Sequence, residues 1–368
     1  MTAIPNFKSM SPKKASKRTP RTVKREIEGL DQSILEAIEK RANLVGELAN
    51  LAPDEETSPR VPAKNPKTAG NPATLQLLRQ IDGYCQSQVT PRRICYLGPI
   101  FSYSYLAAAQ HFGAHHDLVP VTSIAAVFSQ VAQGESQYGV VPIENSTDGR
   151  IADTLTMFSK HPVSICNEIH VPIHHCLIGT GKLADVREIR SKAQALSQCR
   201  HWLDKSFSSK VQRVATASSS DAAQDAKQSG KKVAAIASRE AAVGLGLKVL
   251  AANIEDQKGN LTRFAVIFSP HHEGVQAPRK TGKDKSSIMF AIPHRPGSLA
   301  DVINVFKRSK LNLTWIESFP KPGAFSEYTF FAEFQGHRDE VKVRNAMNSL
   351  TKKTEELTFL GSYPEFCA

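Results

Sequence analysis

A chain of 368 residues is too long for one hydrophobic core, so several domains are expected. Its 40% apolar and 22% charged residues are those of a soluble globular protein, and no run approaches the ~20 apolar residues of a membrane span. The formal charge is +12, but residues 1–25 carry five lysines, three arginines and no acid, leaving only +4 elsewhere; a basic globular surface is not indicated, and no nucleic-acid partner is expected.

Residues 1–22 mix those charges with Pro, Ser and Thr and read as a disordered tail. The tail lacks the apolar stretch of a secretory signal, although its acid-poor, Ser/Arg-bearing composition is weakly that of an organelle transit peptide. Six cysteines with no C-x-x-C pair fit reduced thiols and a cytoplasmic location. Residues 24–52 form one long amphipathic helix, with Ile27, Leu30, Ile34, Ile38, Val45 and Leu48 at three-to-four spacing and Pro53 as the stop. Prolines at 53, 59, 62, 66 and 72 make the following stretch a loop. A second helix, 73–89, carries Leu75, Leu78, Ile81 and Cys85 on one face. Two such helices cannot bury themselves alone, so dimerisation through this region is expected.

From Arg93 strands and helices alternate with short loops. ICYLGP is a strand and turn, SYSYLAAAQHFG a helix ending at Gly113, LVPV a strand, 123–132 a helix and YGVVPIENS a strand. HCLIG is a strand, 193–206 a helix, 219–229 a helix, VAAIAS a strand and 239–246 a helix. The pattern predicts an α/β unit with mainly parallel sheets, which bind ligands beyond the carboxyl ends of their strands. The polar strand ends are Ser102–Ser104, Glu144–Thr147, Ser191–Gln194 and Ser218–Ser220. Hydroxyls and amides there, with Thr262 and Arg263 at the entrance of the strand LTRFAVIF, suit a small oxygen-rich anion. No Gly-rich dinucleotide fingerprint or P-loop appears, and no cofactor is implied. The cluster His170, His174, His175, Cys176 lies in a Pro-interrupted strand pattern, where neighbours face opposite sides, which disfavours a metal site. Residues 271–285 are a charged linker, and 286–366 follow the order βαββαβ of a split βαβ unit.

YLGP (96–99), VPIENST (141–147), ALSQCRHWL (195–203) and NLTRF (260–264), in this order, resemble prephenate dehydratase. The C-terminal unit looks like an ACT module: Pro296-Gly297-Ser298-Leu299 resembles its glycine turn and NLTWIESFP (312–320) its second effector motif. The first helices are similar to a chorismate mutase domain, as in the fused P-proteins of phenylalanine biosynthesis. The resemblance implies a multidomain chain: an all-α mutase-like segment over 23–91, a two-lobed α/β, periplasmic-binding-protein-like catalytic domain over 92–270, and a ferredoxin-like α+β ACT domain over 286–366. It implies conversion of prephenate to phenylpyruvate, CO2 and water, with phenylalanine as feedback effector and a homodimer or homotetramer as the assembly. Thr262 would donate to the leaving oxygen and Arg263 would pair with a carboxylate. Asn145, Ser146, Thr147, Ser102, Ser104, Gln194, Ser218 and Phe264 would complete the substrate site. Gly297, Ser298, Leu299, Asn312, Leu313, Glu317 and Ser318 would hold phenylalanine.

The chain departs from these patterns in places. Arg41 matches the first-helix arginine of the mutase family, Asp31 its upstream acid, and Lys24 or Arg25 an earlier arginine. However, Ala52 replaces a lysine, the proline-rich stretch replaces an Asp-x-x-Arg-Glu group, and Cys85 and Val89 stand where polar residues belong. A degenerate mutase kept for dimerisation is therefore expected. Phe101 stands where the dehydratases have Gly, and Phe319 where the ACT motif has Arg. Three alternatives remain: a working bifunctional enzyme, an arogenate dehydratase with the same chemistry, and a non-catalytic small-molecule sensor.

Overall fold

The computed structural model describes residues 19–51, 72–320 and 328–366. The stretch 1–18, Ala52 and most of the proline-rich segment lie outside them. Helix α1 (Pro20–Leu51) pairs with α2 (Pro72–Val89). Val45 and Cys85 are buried between the two, whereas Ile27, Leu30 and Ile34 of the expected buried face are exposed. The pair rests on the next domain: Gln80 Nε2 donates to the Ala109 carbonyl, and a Cβ on Gly83 would meet the Phe112 oxygen at 2.4 Å.

The first lobe contains β1 (Arg93–Leu97), α3 (Tyr103–Phe112), β2 (Asp117–Val121), α4 (Ile124–Ala132), β3 (Tyr138–Asn145), β4 (Gly149–Arg150), α5 (Ala152–Phe158) and β5 (Ser164–Pro172). The chain then crosses to a second lobe of β6 (Cys176–Gly179), β7 (Glu188–Lys192), α6 (Ala193–Gln198), α7 (Arg200–Ser206), β8 (Gln212–Thr216), α8 (Ser219–Gln228), β9 (Val233–Ala237), α9 (Arg239–Leu245) and β10 (Lys248–Ala251). It returns as β11 (Leu261–Phe268), which inserts between β3 and β5 of the first sheet, order β2-β1-β3-β11-β5. The second sheet has the order β10-β6-β9-β7-β8.

Both sheets are mixed rather than mainly parallel. β11 runs antiparallel to both neighbours, as do β6 and β10 to theirs. A strand returning from the other lobe enters its sheet from the opposite end, which the local pattern does not reveal. The helix expected over 193–206 breaks at Cys199 into α6 and α7. The Asp256 carboxylate accepts from the His201 and Trp202 amides and so caps the second piece. β7 and β8 were not legible as strands: they read EIRSK and QRVAT, and β8 is almost fully exposed.

The last unit runs β12 (Asp284–Ala291), α10 (Ser298–Arg308), β13 (Leu313–Pro320), β14 (Tyr328–Gln335), α11 (Val341–Thr351) and β15 (Glu356–Pro364). Its antiparallel sheet has the order β13-β14-β12-β15. This sheet shares a core with the first lobe. Met289, Phe319, Phe331, Leu360 and Tyr363 pack with Phe128, Leu155, Phe158 and Ile165. Gly361, at φ +145°, lets β15 approach β5 so closely that a Cβ would meet the Ile165 oxygen at 2.1 Å. Phe319 thus takes its place in an interdomain core.

Candidate active site

The cleft between the two lobes is a cavity of about 710 Å3. It lies beyond the carboxyl ends of β1, β3, β7, β8 and β9, where a sheet of this type offers its loops. Its lining includes Ser102, Ser104, Asn145, Gln194, Ser218, Thr262 and Phe264.

Thr262 opens β11 opposite Asn145 of β3. Its hydroxyl oxygen accepts a hydrogen bond from Asn145 Nδ2 at 2.8 Å. The amide orientation is fixed, because Asn145 Oδ1 accepts from the Thr147 and Asp148 backbone amides at 2.9 and 3.1 Å. The nitrogen must therefore face Thr262, and its second proton goes to Asn260 Oδ1 at 2.9 Å. With its oxygen held as an acceptor, the Thr262 hydroxyl is left with its own proton to give. Among the described residues that proton has no acceptor, and Thr262 lines the cavity.

Two ten-residue helices begin at the cavity wall. Ser102 caps α3 by accepting from the Tyr105 amide, and its own proton goes to the Leu97 carbonyl at 3.0 Å. Ser218 caps α8 by accepting from the Asp221 amide, and its proton goes to Asp221 Oδ2 at 2.8 Å. These hydroxyl protons are committed to the protein, so the two serines act on an anion through the first-turn N–H groups they orient. Each helix end contributes ~0.3–1 kcal/mol for a bound negative charge, and more where water is excluded. Gln194, from the second lobe, donates to Asp148 of the first across the mouth of the cleft.

Arg263 is not in the cavity. Neighbours on a strand face opposite sides, so with Thr262 inward its guanidinium points to the other face of β11. There it meets Glu144 at 2.7 Å, Glu168 at 3.1 Å and Glu333 at 2.8 Å, and lies 5.2 Å from the Trp315 ring centre. Burial opposes its charge, but Glu333 and Glu168 outweigh that and raise its pKa above the ordinary value. Burial likewise opposes the Glu168 charge. The His170 imidazole 3.6 Å away and the charges of Lys285 and Arg263 overcome this and hold its carboxyl well below the usual range. Ser146 and Thr147 also lie off the cavity lining. Ser146 Oγ accepts from the Leu261 amide and steadies the entry to β11, while Thr147 faces a separate pocket with His201, Glu255 and Asp256.

The sequence reading gives three cavity residues no role in the site. Lys192, at the end of β7, supplies the basic side chain of the lining and has no carboxylate partner among the described residues. Asp221 supplies the acid. Phe101, at φ +65°, crosses from the first lobe and lies on Gly244 of α9, where a Cβ would meet its ring at 2.2 Å. A non-glycine residue in the left-handed region is uncommon, so this loop is held by its contacts.

The prephenate dehydratase family matches residues 94–272. The bifunctional chorismate mutase/prephenate dehydratase of Stutzerimonas stutzeri is 35% identical over 357 residues, covering 92% of this chain and 96% of that protein. This chain belongs to the prephenate dehydratase family. Among solved structures, the prephenate dehydratase of Arthrobacter aurescens in complex with L-Phe superposes with a TM-score of 0.68 at 29% identity, over 74% of this chain and 90% of that one. GqqA, described as a novel type of quorum-quenching acylase, also gives 0.68, at 26% identity, over 75% and 98% of the two chains. As a member of this family the protein is an enzyme, a lyase.

A second candidate site of this dehydratase lies in its C-terminal unit. Gly297, at φ +88°, caps α10 and with Ser298 and Leu299 lines a pocket of about 340 Å3, closed by Pro293, Tyr328 and Phe330. Ser298 Oγ is buried there without a hydrogen-bond partner. Within one chain Asn312, Leu313, Glu317 and Ser318 do not line this pocket. Asn312 bonds Gln335, and Glu317 bonds Arg150 of the first lobe.

Proposed function

We propose that the cleft binds prephenate and that Thr262 supplies the proton with which its ring hydroxyl leaves. The observation that carries the reading is the fixed Asn145 amide, which makes the Thr262 oxygen an acceptor and leaves its proton for the cavity. In the reaction the bond from ring to carboxylate breaks, its electron pair aromatises the ring, and hydroxide departs as water with one proton. Phenylpyruvate and CO2 remain, and solvent restores the proton to Thr262. Aromatisation supplies the driving force, so orientation and one hydroxyl donor suffice. Lys192 and the starts of α3 and α8 offset the two substrate carboxylates, the role first assigned to Arg263. No cofactor or metal takes part. Phenylalanine, in the pocket over Gly297–Leu299, is the proposed feedback effector of a cytoplasmic homo-oligomer.

The N-terminal pair is proposed to be a mutase remnant. Arg41, the matching arginine, is engaged by Asp82 of α2, with the buried Cys85 thiol beside it. Working bifunctionality is the second reading, favoured by the bifunctional relative that matches the chain through this region. Arogenate is the competing substrate, because Asp221 could receive its ammonium. Assays of the purified chain for phenylpyruvate from prephenate, phenylalanine from arogenate and consumption of chorismate, each with and without phenylalanine, separate these readings. Turnover of none of the three rejects the proposal.

A further inference from the structure

The residue beside Thr262 is occupied in a way the reaction does not require. On its far face β11 presents Arg263 to two carboxylates of its own sheet, Glu144 and Glu168, and to Glu333 of β14 in the C-terminal sheet. Lys285 of β12 completes the cluster, 2.6 Å from Glu168 and 3.0 Å from Glu333. Trp315 of β13 covers the guanidinium. Glu333, Glu168 and Lys285 are all more than nine-tenths buried. The ladder between β11 and β3 shifts register just past Arg263, which pairs with Glu144 whereas Phe264 pairs with Pro142, so Ile143 of β3 is the extra residue. The bulge bends β3 between Asn145 and Pro142, so how Asn145 and Thr262 face each other depends on what pins Glu144 and Arg263 at that point.

We infer that Arg263 is a positioning residue, and that the C-terminal sheet completes its socket and thereby sets the aim of Thr262. This rests on the dehydratase reading and extends it: the strand that carries the reacting hydroxyl is finished by the regulatory unit. β13, which bears Trp315, also bears Glu317, whose carboxylate meets Arg150 on β4. A shift of β13 therefore reaches the reacting strand through Trp315 and Arg263 without passing through the cleft.

The test uses the full chain with Lys285→Met and Glu333→Gln combined. The pair removes one charge of each sign, so the buried cluster keeps its net charge while the C-terminal contribution to the socket is lost. The inference predicts that kcat for prephenate falls tenfold or more, that KM stays within twofold, and that Thr262→Val costs less in this background than in the wild type. A purely structural cluster would lower the melting temperature and leave kcat and the Thr262→Val effect intact, and that result overturns the inference. If the double variant does not fold, Glu333→Asp carries the test. It keeps the charge but withdraws the carboxylate by one methylene, so kcat must fall at least threefold at unchanged KM; unchanged kcat overturns the inference. A wild-type chain inactive on prephenate rejects the dehydratase reading and this inference together, whereas an active wild type with indifferent variants rejects this inference alone.

Discussion

Asn145→Asp is the sharpest perturbation of the site, because it changes hydrogen-bond polarity at constant shape. The substituted side chain keeps one oxygen on the Thr147 and Asp148 amides, and Asn260 turns its amide nitrogen toward the other, so the loop survives. Its second oxygen replaces the nitrogen 2.8 Å from Thr262, and there it can only accept. The Thr262 proton then turns from the cavity to the new carboxylate, and the leaving hydroxyl loses its donor. Removing one such donor costs about 3 kcal/mol, or two powers of ten in kcat. The added charge also opposes a dianion. At about 6 Å and an effective dielectric of about 20 the repulsion is about 3 kcal/mol, so KM rises as well. Steady-state kinetics of phenylpyruvate formation measure both effects, and thermal unfolding checks that the fold is kept. A folded variant with kcat within threefold of the wild type would refute the hydrogen-bond argument.

Other predictions concern the walls and the core. Lys192→Gln removes the basic side chain lining the cleft, so KM for prephenate rises about tenfold while kcat changes little, the pattern of lost uniform binding. Gly244→Ala presses a methyl into the Phe101 ring, so kcat/KM falls and stability drops by about 1–3 kcal/mol; adding Phe101→Gly restores both, as a double-mutant cycle would report. Burial pushes the His116 imidazole down to about 4, helped by the charge of Arg92. The unfolded chain therefore takes up that proton first, and stability present above pH ~6.5 is lost as pH falls toward and through about 4. Melting temperatures across that range should fall less steeply in His116→Gln.

How much the sequence discloses depends on the residue. Thr262, Asn145 and the polar ends that follow β1 and β3 are readable because polar residues at the ends of apolar strands have few reasons to be there. The placing of Arg263 beside Thr262 in one site contradicts strand alternation, which puts consecutive side chains on opposite faces. Its partners, 70 or more residues away, are what make the opposite face habitable for a cation. The role of Lys192, within the Ser191–Gln194 stretch, stays hidden because β7 is a charged strand, stabilised by its place between β9 and β8 rather than by its own pattern. The antiparallel entry of β11 also depends on the route between lobes, which no local window contains. In the C-terminal unit the element order is legible, but the core it shares with the first lobe is not.

The central claim is that the Thr262 hydroxyl gives the departing oxygen its proton. Its most direct test compares kcat on prephenate for Thr262→Val and Thr262→Ser. Valine keeps the shape and removes the hydroxyl, whereas serine keeps the hydroxyl and removes a methyl. The account predicts a loss of 10²–10³ for valine, in line with removal of one well-placed donor, and no more than about tenfold for serine. A folded valine variant with near-wild-type turnover would contradict it.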